Sequence, residues 1–233
     1  MPLPHRRPLI VSDRAPIRLL AGVGLLRRDP RGIRFAVPYL RSLLPGKSAL
    51  ADVVPMMPFG AITWLRSYLR PGFSVFEYGS GGSTAFFAAR VERLVSVEHD
   101  PEWHTRTAQR LGSLPQRECT YLLQLPDEGV NERFASTDER YSEMNFESYV
   151  RTIDAYPDRS FDLVVVDGRA RNACVLQALP KVKPGGFLLL DDSYRAEYAV
   201  AMKALGGFAR TDLRGLAPYN TDLGQTSIWE ITG

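Results

Sequence analysis

The sequence has few cysteines and no long apolar run, and both shortages exclude classes of protein. Its two cysteines, Cys119 and Cys174, lack metal-ligand spacing and predict no disulfide framework, as expected in a reducing compartment. No segment reaches the ~18–20 consecutive apolar residues that a transmembrane helix needs. The most apolar candidate, residues 17–26, contains Arg18 and is followed by two arginines. We therefore expect a cytoplasmic location.

An ordinary composition hides an uneven distribution of charge. Of the 233 residues, 45% are hydrophobic and 24% are charged, which is typical of a globular chain with one α/β domain and additions. The net charge is +3, yet residues 1–48 carry +8, from nine arginines and one lysine against two aspartates. Such a basic arm either contacts an anionic surface, such as phospholipid, a phosphorylated substrate or nucleic acid, or forms a solvated face over the domain. No RNA-module signature favours nucleic acid specifically.

Proline divides the chain into two regions. Nine of the 17 prolines lie within residues 1–58, so helices there are expected to be short. We predict an N-terminal extension over residues 1–58 and one domain over residues 59–233. The domain begins with apolar residues at helical spacing between Ala61 and Leu69, and a Pro-Gly pair ends that pattern.

After this helix, short apolar runs alternate with helical patterns, which is typical of a parallel sheet covered by helices on both faces. The fourth and fifth runs are continuously apolar, as expected of buried central strands. The last run predicts a C-terminal strand. The predicted strands are 73–77, 94–98, 119–124, 161–166, 186–190 and 226–231.

The segment 75–84 carries the most informative motif. Its apolar run ends at Glu77, and three glycines follow before a helical stretch begins at Ser83. A strand that turns through glycines into a helix N-terminus brings backbone close to a ligand. A dinucleotide motif requires a small residue at its sixth position, where this chain has Thr84. Glu77 would also repel a pyrophosphate, and it suits a cationic ligand instead.

A second acidic residue follows at an informative spacing. Glu98 ends a short β-prone run and lies 19 residues after Gly79. An acidic side chain about 20 residues after the first glycine, at the end of the second strand, is placed to accept both hydroxyls of a ribose. The alternative is that Glu98 is an exposed strand-end carboxylate without a ligand.

Taken together, these motifs are similar to those of a known family. The stretch Glu77-x-Gly79-x-Gly81 resembles the first motif of the class I S-adenosylmethionine-dependent methyltransferases. Glu98, an Asp-Gly pair after the fourth strand and a Pro-Gly-Gly turn before the fifth follow in that family's order, and the resemblance covers residues 59–232. It implies an α/β, doubly wound, mostly parallel sheet of seven strands, the Rossmann-like methyltransferase fold, with the last strand antiparallel. Here an N-terminal helical extension would precede it.

The resemblance also implies S-adenosylmethionine as the cofactor, with Glu98 on its ribose and His99 beside its adenine. A softer resemblance of 78–84 and 96–100 to bacterial methyltransferases of glycan and secondary-metabolite pathways favours a hydroxyl acceptor on a small molecule or glycan. Two other functions stay open: a non-catalytic cofactor-binding scaffold that acts through its basic arm, and an NAD-dependent oxidoreductase. The residues expected to contact the cofactor are Glu77, Gly79, Ser80, Gly81, Ser83, Glu98 and His99.

Charged residues after the fourth and fifth strands predict the chemistry. A hydroxyl must lose its proton to a general base or to a metal that lowers its pKa. Asp167 is the predicted base, and Asp167, Asp191 and Asp192 are together a candidate Mg²⁺ site like that of metal-dependent O-methyltransferases. The alternative is that Asp192 and Ser193 cap the following helix, since Asp and Ser are preferred N-caps. The macrolide-sugar type of these enzymes usually has Asp-Gly-Asp-His at this position, whereas here Asp167-Gly168 is followed by Arg169 and, two residues later, Arg171. These two arginines are predicted to clamp a substrate carboxylate or phosphate.

One polar segment, residues 126–146, interrupts the alternation between the third and fourth strands. So long a loop inside a compact domain is usually a lid or a binding loop. Because it follows a strand end, we expect it to fold over the carboxyl ends of the sheet.

Overall fold

The central feature of the fold is one sheet of seven strands. A computed structural model describes residues 23–26, 28–115 and 118–232. The strands lie in the order β3-β2-β1-β4-β5-β7-β6. Their bounds are β1 Ser74–Tyr78, β2 Arg93–Glu98, β3 Glu118–Leu123, β4 Phe161–Val166, β5 Val182–Asp191, β6 Ala209–Leu216 and β7 Leu223–Ile231.

The pairing confirms the predicted fold class. Strands β1 to β5 pair in parallel, and β7 is antiparallel to both β5 and β6. The six predicted strands are all present, with ends that differ by a few residues. Strand β6 was not located in the sequence, because most of its side chains at this sheet edge are exposed and it has no apolar run.

Helices connect the strands and cover both faces of the sheet. They are α1 Ala36–Ser42, α2 Ala49–Asp52, α3 Phe59–Tyr68, α4 Gly82–Ala88, α5 Pro101–Gly112, α6 Glu147–Arg151, α7 Arg171–Ala178 and α8 Ala199–Ala204. Short 3₁₀ helices span Pro30–Phe35, Glu132–Phe134, Glu139–Tyr141, Thr152–Ala155, Leu179–Lys181 and Ala196–Tyr198. Within the described part of the chain, no helix combines the length and apolar character needed to cross a bilayer.

The strands alternate their side chains between two apolar cores. Phe76, Tyr78 and Val164 point into one core, while Val75 and Val165 point into the other. This alternation follows from the two-residue period of a strand, and burial on both faces explains why the central strands are continuously apolar.

The described part of the N-terminal extension packs on the end of β6. Tyr39 and Leu43 of the α1 region are buried against Leu216. The Asp29 carboxylate accepts a hydrogen bond from the backbone N–H of Leu216 at 3.3 Å, and the Tyr39 hydroxyl donates to the Asn220 carbonyl at 3.1 Å. Residues 1–22 of the predicted extension lie outside the described residues, and the boundary at residue 58 stays a prediction.

The loops after β1 and β4 touch through two glycines. Gly79 has a φ of +87°, and a Cβ atom placed on it would lie 2.6 Å from the Gly168 Cα. A Cβ on Gly168 would overlap the Tyr149 hydroxyl and lie 2.9 Å from the Gly79 nitrogen. Only glycine at both positions therefore allows these backbones to approach so closely.

A buried carboxylate lies beneath the first of these loops. The Glu77 side chain is fully buried, and its Oε2 accepts hydrogen bonds from Thr84 Oγ1 at 2.6 Å and Ser96 Oγ at 2.7 Å. Thr84 Oγ1 in turn accepts from the backbone N–H of Gly81 at 2.8 Å. Burial raises the pKa of Glu77 to about 7, although neighbouring hydroxyl groups, Ser83 among them, partly oppose this shift.

The contact between Gly79 and Gly168 predicts that a larger side chain at Gly168 destabilises the protein. We expect Gly168→Ala to lower the free energy of unfolding by about 1–3 kcal/mol or more, because the added methyl group overlaps Tyr149 and the Gly79 backbone. Gly112→Ala is the matched control, since a Cβ at Gly112 meets nothing within 4 Å and alanine is favoured in a helix. Urea unfolding of both variants checks this, and equal stabilities would contradict the contact.

The raised pKa of Glu77 predicts a pH-dependent cost to stability. Because the folded state holds this proton more tightly than the unfolded state, ionisation destabilises the fold as pH rises from about 4.5 to about 7. Above about pH 7 the ionised Glu77 lowers the free energy of unfolding by about 3 kcal/mol, and below about pH 4.5 it does not lower it. Glu77→Gln removes this titration, so its stability relative to the parent chain should rise by that order between about pH 5 and about pH 8. Denaturant unfolding across this range measures the difference, and a constant difference would refute the assignment.

Candidate functional site

A cleft of about 590 Å³ opens at the carboxyl ends of the central strands. Its walls come from the loops after β1, β2, β4 and β5, from the 126–146 loop and from the loop before β7. Six acidic side chains and four arginines line it, so acidic groups are in excess. The lining residues are Met56, Gly79, Ser80, Glu98, His99, Asp100, Trp103, Arg140, Tyr141, Asp167, Gly168, Arg169, Arg171, Asp191, Asp192, Tyr194, Arg195, Asn220 and Asp222.

The glycine turn is held by a tryptophan and a tyrosine. The Trp103 indole N–H donates a hydrogen bond to the Ser80 carbonyl at 2.7 Å. The Ser80 hydroxyl lies 2.6 Å from the Tyr121 hydroxyl. Trp103 is placed by its helix start, where Asp100 accepts a hydrogen bond from the Trp103 backbone N–H. Contacts within the protein therefore fix the conformation of the turn.

Glu98 is ionised and fully satisfied by the protein itself. Its Oε2 accepts hydrogen bonds from the backbone N–H and the hydroxyl of Ser80, at 3.0 and 2.8 Å. Its Oε1 accepts from the backbone N–H groups of His99 and Asp100, at 2.8 and 3.0 Å, and lies 2.7 Å from His99 Nδ1. Burial alone would raise the pKa of Glu98, but His99 and the backbone donors lower it to about 2. The alternative of an exposed carboxylate is wrong, because the residue is 3% exposed.

His99 joins the strand end to the 126–146 loop. Its Nε2 lies 3.1 Å from the Tyr141 hydroxyl and 3.3 Å from Arg169 Nε. Arg169 also forms an ion pair with Asp138 of the same loop, at 3.0 Å. The loop thus lies over the carboxyl ends of the strands, as predicted, and polar contacts hold it there. His99 lines the cleft, but no contact here identifies it as a neighbour of adenine.

The Arg171 guanidinium forms its hydrogen bonds with the protein and is not free to bind a substrate anion. Its guanidinium donates to the carbonyls of Asp167, Gly168 and Asp191, at 3.1, 3.0 and 2.6 Å. It also forms an ion pair with the Asp167 carboxylate at 2.9 Å, and its side chain is 11% exposed. These contacts tie the loop after β4 to the end of β5. The predicted substrate clamp at Arg171 is therefore not supported, because its N–H groups are already used.

Asp167 presents a carboxylate to the cleft next to the glycine turn. Its backbone N–H donates to the Tyr78 carbonyl at 2.9 Å, which places it directly after β4 and beside β1. Its side chain is 26% exposed. Burial raises the pKa of Asp167 above its usual range, and the Arg171 charge opposes that shift. A carboxylate with a raised pKa is suited to accept a proton near neutral pH.

The predicted metal site does not fit these side chains. Asp191 accepts a hydrogen bond from Thr226, Asp192 pairs with Arg195, and Asp167 pairs with Arg171. Two arginines thus neutralise the carboxylates that would bind Mg²⁺. Among the described residues, no group of three or more histidine, cysteine or acidic side chains is arranged to hold a metal ion. Asp192 also lies four residues before the next helix, whose N-cap is Arg195, and so does not cap it.

The predicted cofactor residues fall into two groups. Gly79, Ser80, Glu98 and His99 line the cleft. Glu77, Gly81 and Ser83 lie outside its lining and support the turn from behind, because Glu77 and Ser83 are buried and Gly81 faces Trp103. The direct contact expected between Glu77 and a cationic ligand is therefore not supported by its position.

Several cleft residues were not anticipated from the sequence. Arg140, Tyr141, Asn220 and Asp222 lie in loops without a periodic pattern. The available signal was topological, since loops that follow or precede strand ends on one sheet edge share a surface. Tyr194 and Arg195 also line the cleft, directly after the aspartates that end β5.

Comparison with known proteins agrees with this architecture. A family model described as a methyltransferase domain matches residues 76–193. The fold is similar to a putative rRNA methylase from Clostridium thermocellum, with a TM-score of 0.52, 16% identity and 82% of this chain and 100% of that chain covered. A methyltransferase-like protein from Silicibacter pomeroyi has a TM-score of 0.50 and 24% identity, over 75% and 90% of the two chains. No curated protein matches the chain in sequence.

A third similar structure is a putative methyltransferase from Streptococcus mutans in complex with SAH, with a TM-score of 0.50 and 13% identity, over 74% of this chain and 97% of that chain. At such identities these structures support the fold alone. The family model is more specific, because it covers half of the chain and includes β1, β2, β4 and β5, the strands that border the cleft. The chain therefore belongs to the class I S-adenosylmethionine-dependent methyltransferases.

Proposed function

We propose that this methyltransferase methylates a hydroxyl group of a small molecule or glycan, with Asp167 as the general base. The observation that carries the proposal is the position of the Asp167 carboxylate, which faces the cleft one residue from the Gly79–Gly168 contact. A hydroxyl is a poor nucleophile unless its proton is removed, so an acceptor of this kind needs such a base. The resemblance to methyltransferases of glycan and secondary-metabolite pathways supports the same class of acceptor.

The cleft residues fit S-adenosylmethionine. The turn at Gly79 brings bare backbone to the cleft, and the excess of acidic side chains suits a ligand that carries an ammonium and a sulfonium. Glu77 lies fully buried beneath the turn, and with a pKa of about 7 it carries only part of a negative charge near neutral pH. An NAD-dependent function is disfavoured, because such acidic walls would repel a pyrophosphate and the family model is that of a methyltransferase.

When bound, S-adenosylmethionine supplies an electrophilic methyl group, whose bond to sulfur breaks as the bond to the acceptor oxygen forms. Asp167 accepts the proton that the acceptor hydroxyl loses. Arg171 positions Asp167, because it holds both the carboxylate and the backbone of that loop. Arg140 and Tyr141 of the 126–146 loop also line the cleft. Most of the rate enhancement would come from alignment.

Glu98 is the residue that we assign to the cofactor ribose. Both of its oxygens are already occupied, so a ribose hydroxyl must take the place of a present donor. The Ser80 hydroxyl is the donor most easily released, because it keeps Tyr121 as a partner at 2.6 Å. The backbone donors of His99 and Asp100 stay fixed to the other oxygen.

The acceptor class is tested directly by methyl transfer. Incubation with radiolabelled S-adenosylmethionine and a panel of monosaccharides and phenols should label at least one hydroxyl compound. Amines and total RNA serve as the competing acceptors, the latter because one similar structure is described as an rRNA methylase. Transfer to RNA or to amines alone would reject the hydroxyl assignment and keep the methyltransferase assignment.

Replacement of Glu98 tests the ribose role. We expect Glu98→Ala to weaken SAH binding by about 1–2 kcal/mol or more, because charge-assisted hydrogen bonds are lost. Glu102→Ala is the matched control, since Glu102 lies on α5 with a side chain that is 76% exposed. Ser80→Ala, which removes one of the two donors to Glu98 Oε2 and keeps the backbone N–H, should leave the affinity equal or higher. Isothermal titration with SAH measures all three, and an unchanged affinity in Glu98→Ala would remove Glu98 from the cofactor site.

Replacement of Asp167 tests the catalytic role. Asp167→Asn should lower kcat by about 10²–10⁴, the usual contribution of a general base, with little change in SAH affinity. In the parent chain kcat/KM should fall at low pH as Asp167 is protonated, and its raised pKa places this fall above the usual range of an aspartate. Asp222→Asn, at another acidic cleft residue, is the control. Unaltered turnover in Asp167→Asn on the best acceptor of the panel would exclude this residue as the base.

A further inference from the structure

The α1 region carries an exposed surface in which cationic and apolar side chains alternate. We call it the basic apolar face, and its members are Arg31, Ile33, Arg34, Val37, Arg41 and Leu44. Ile33 is 67% exposed, Val37 60% and Leu44 42%. Single exposed apolar residues are common, but three large ones within twelve residues form a patch that water solvates poorly.

The orientation of this face is fixed by the residues behind it. Tyr39 and Leu43 are buried against Leu216, so the opposite side of α1 points outward. Asp29, the only acidic residue between positions 28 and 48, turns inward and accepts hydrogen bonds from the Gly32 and Leu216 backbones. No acidic side chain within that segment therefore interrupts the positive charge of the face.

The arginines of the face are available for an external anion. Among the described residues, Arg31, Arg34 and Arg41 form no ion pair, in contrast to Lys47, which pairs with Asp52 at 3.1 Å. Arg34 stacks over the ring of Phe35 at 4.7 Å and keeps its charge outward. The sequence adds further positive charge before this segment, since residues 1–48 carry +8.

A second cleft, of about 520 Å³, opens beside this face and has a mostly apolar wall. Arg41 and Leu44 belong to the face and also line this cleft, together with the neighbouring Pro38. Its floor includes Phe35 and Phe59, whose rings stack at 5.1 Å. The cleft extends the apolar area beyond the helix, whereas the cleft at the strand ends is lined mainly by polar groups.

We propose that the basic apolar face docks on the surface of a bilayer that contains anionic phospholipid. Arginines then lie at the headgroups, where each is worth about 1 kcal/mol, and Ile33, Val37 and Leu44 enter the boundary of the acyl chains. Nucleic acid would satisfy the arginines but would leave the apolar side chains without partners, because sequence-tolerant RNA binding relies on aromatic stacking. The inference does not depend on the methyl acceptor.

Vesicle flotation with the full chain tests this docking. The protein should bind vesicles made of equal parts phosphatidylcholine and phosphatidylglycerol, should not bind phosphatidylcholine alone, and should dissociate as salt is raised. The double variant Arg34→Gln/Arg41→Gln should lower the partition coefficient about thirtyfold, from two lost headgroup interactions. The double variant Ile33→Ser/Val37→Ser should lower it by about tenfold or more at unchanged charge.

Matched controls lie on other surfaces of the chain. Arg106→Gln/Arg151→Gln removes two exposed arginines, and Leu176→Ser/Val200→Ser removes two exposed apolar side chains. Both should bind vesicles as the parent chain does, and SAH binding reports that every variant is folded. Absence of parent binding to anionic vesicles, equal binding by the face variants, or binding to RNA with none to vesicles would each overturn the proposal. Failure of methyl transfer to a hydroxyl would leave it intact.

Discussion

The approach of two loop backbones at Gly79 and Gly168 is the contact on which the cleft depends. The strands β1 and β4 are neighbours in the sheet, yet only paired glycines let the loops that leave them touch. A side chain at either position would separate the loops and move Asp167 away from the turn. Tyr149, fully buried behind Gly168, closes the space on the other side. The geometry of the proposed base is thus a consequence of two missing side chains.

The charged groups of the cleft are mostly bound to one another. Arg171 is surrounded by three carbonyls and a carboxylate, which repay the cost of burying its charge and join the loops after β4 and β5. Glu98 likewise has its hydrogen-bonding capacity filled by the protein, through donors of Ser80, His99 and Asp100. Asp167 differs, because a quarter of its side chain stays open to the cleft. The Asp167 carboxylate is therefore accessible from the cleft, whereas Glu98 must exchange one of its present donors before it can bind a ligand.

Much of the fold could be predicted, because continuously apolar strands and glycine turns leave strong patterns. Strand β6 could not, since an edge strand with exposed residues has no apolar signature. The spacing of the motif predicts that the glycine turn and Glu98 lie at one site, and both line the cleft. The ligand contact that the sequence predicts for Glu77 does not fit its burial beneath Thr84 and Ser96. The substrate contact that the sequence predicts for Arg171 does not fit either, because its guanidinium already binds the protein. A sequence motif can place a charged residue near a site. It does not show which way the side chain points, because that depends on nearby backbone carbonyls, as it does for Arg171.

The occupied state of Glu98 has a consequence for molecular discrimination. A ligand hydroxyl that reaches this carboxylate exchanges places with the Ser80 hydroxyl, so the number of hydrogen bonds on Glu98 is the same before and after. This exchange by itself contributes little net free energy, whereas removal of the carboxylate would take the acceptor away from the ligand and from the backbone N–H groups of Ser80, His99 and Asp100. A compound that lacks this hydroxyl leaves the hydrogen bond from Ser80 to Glu98 intact. The Ser80 side chain then stays in the position that the ligand hydroxyl would have taken. Selectivity at this position would therefore come from competition between the ligand hydroxyl and the Ser80 hydroxyl for the same carboxylate oxygen.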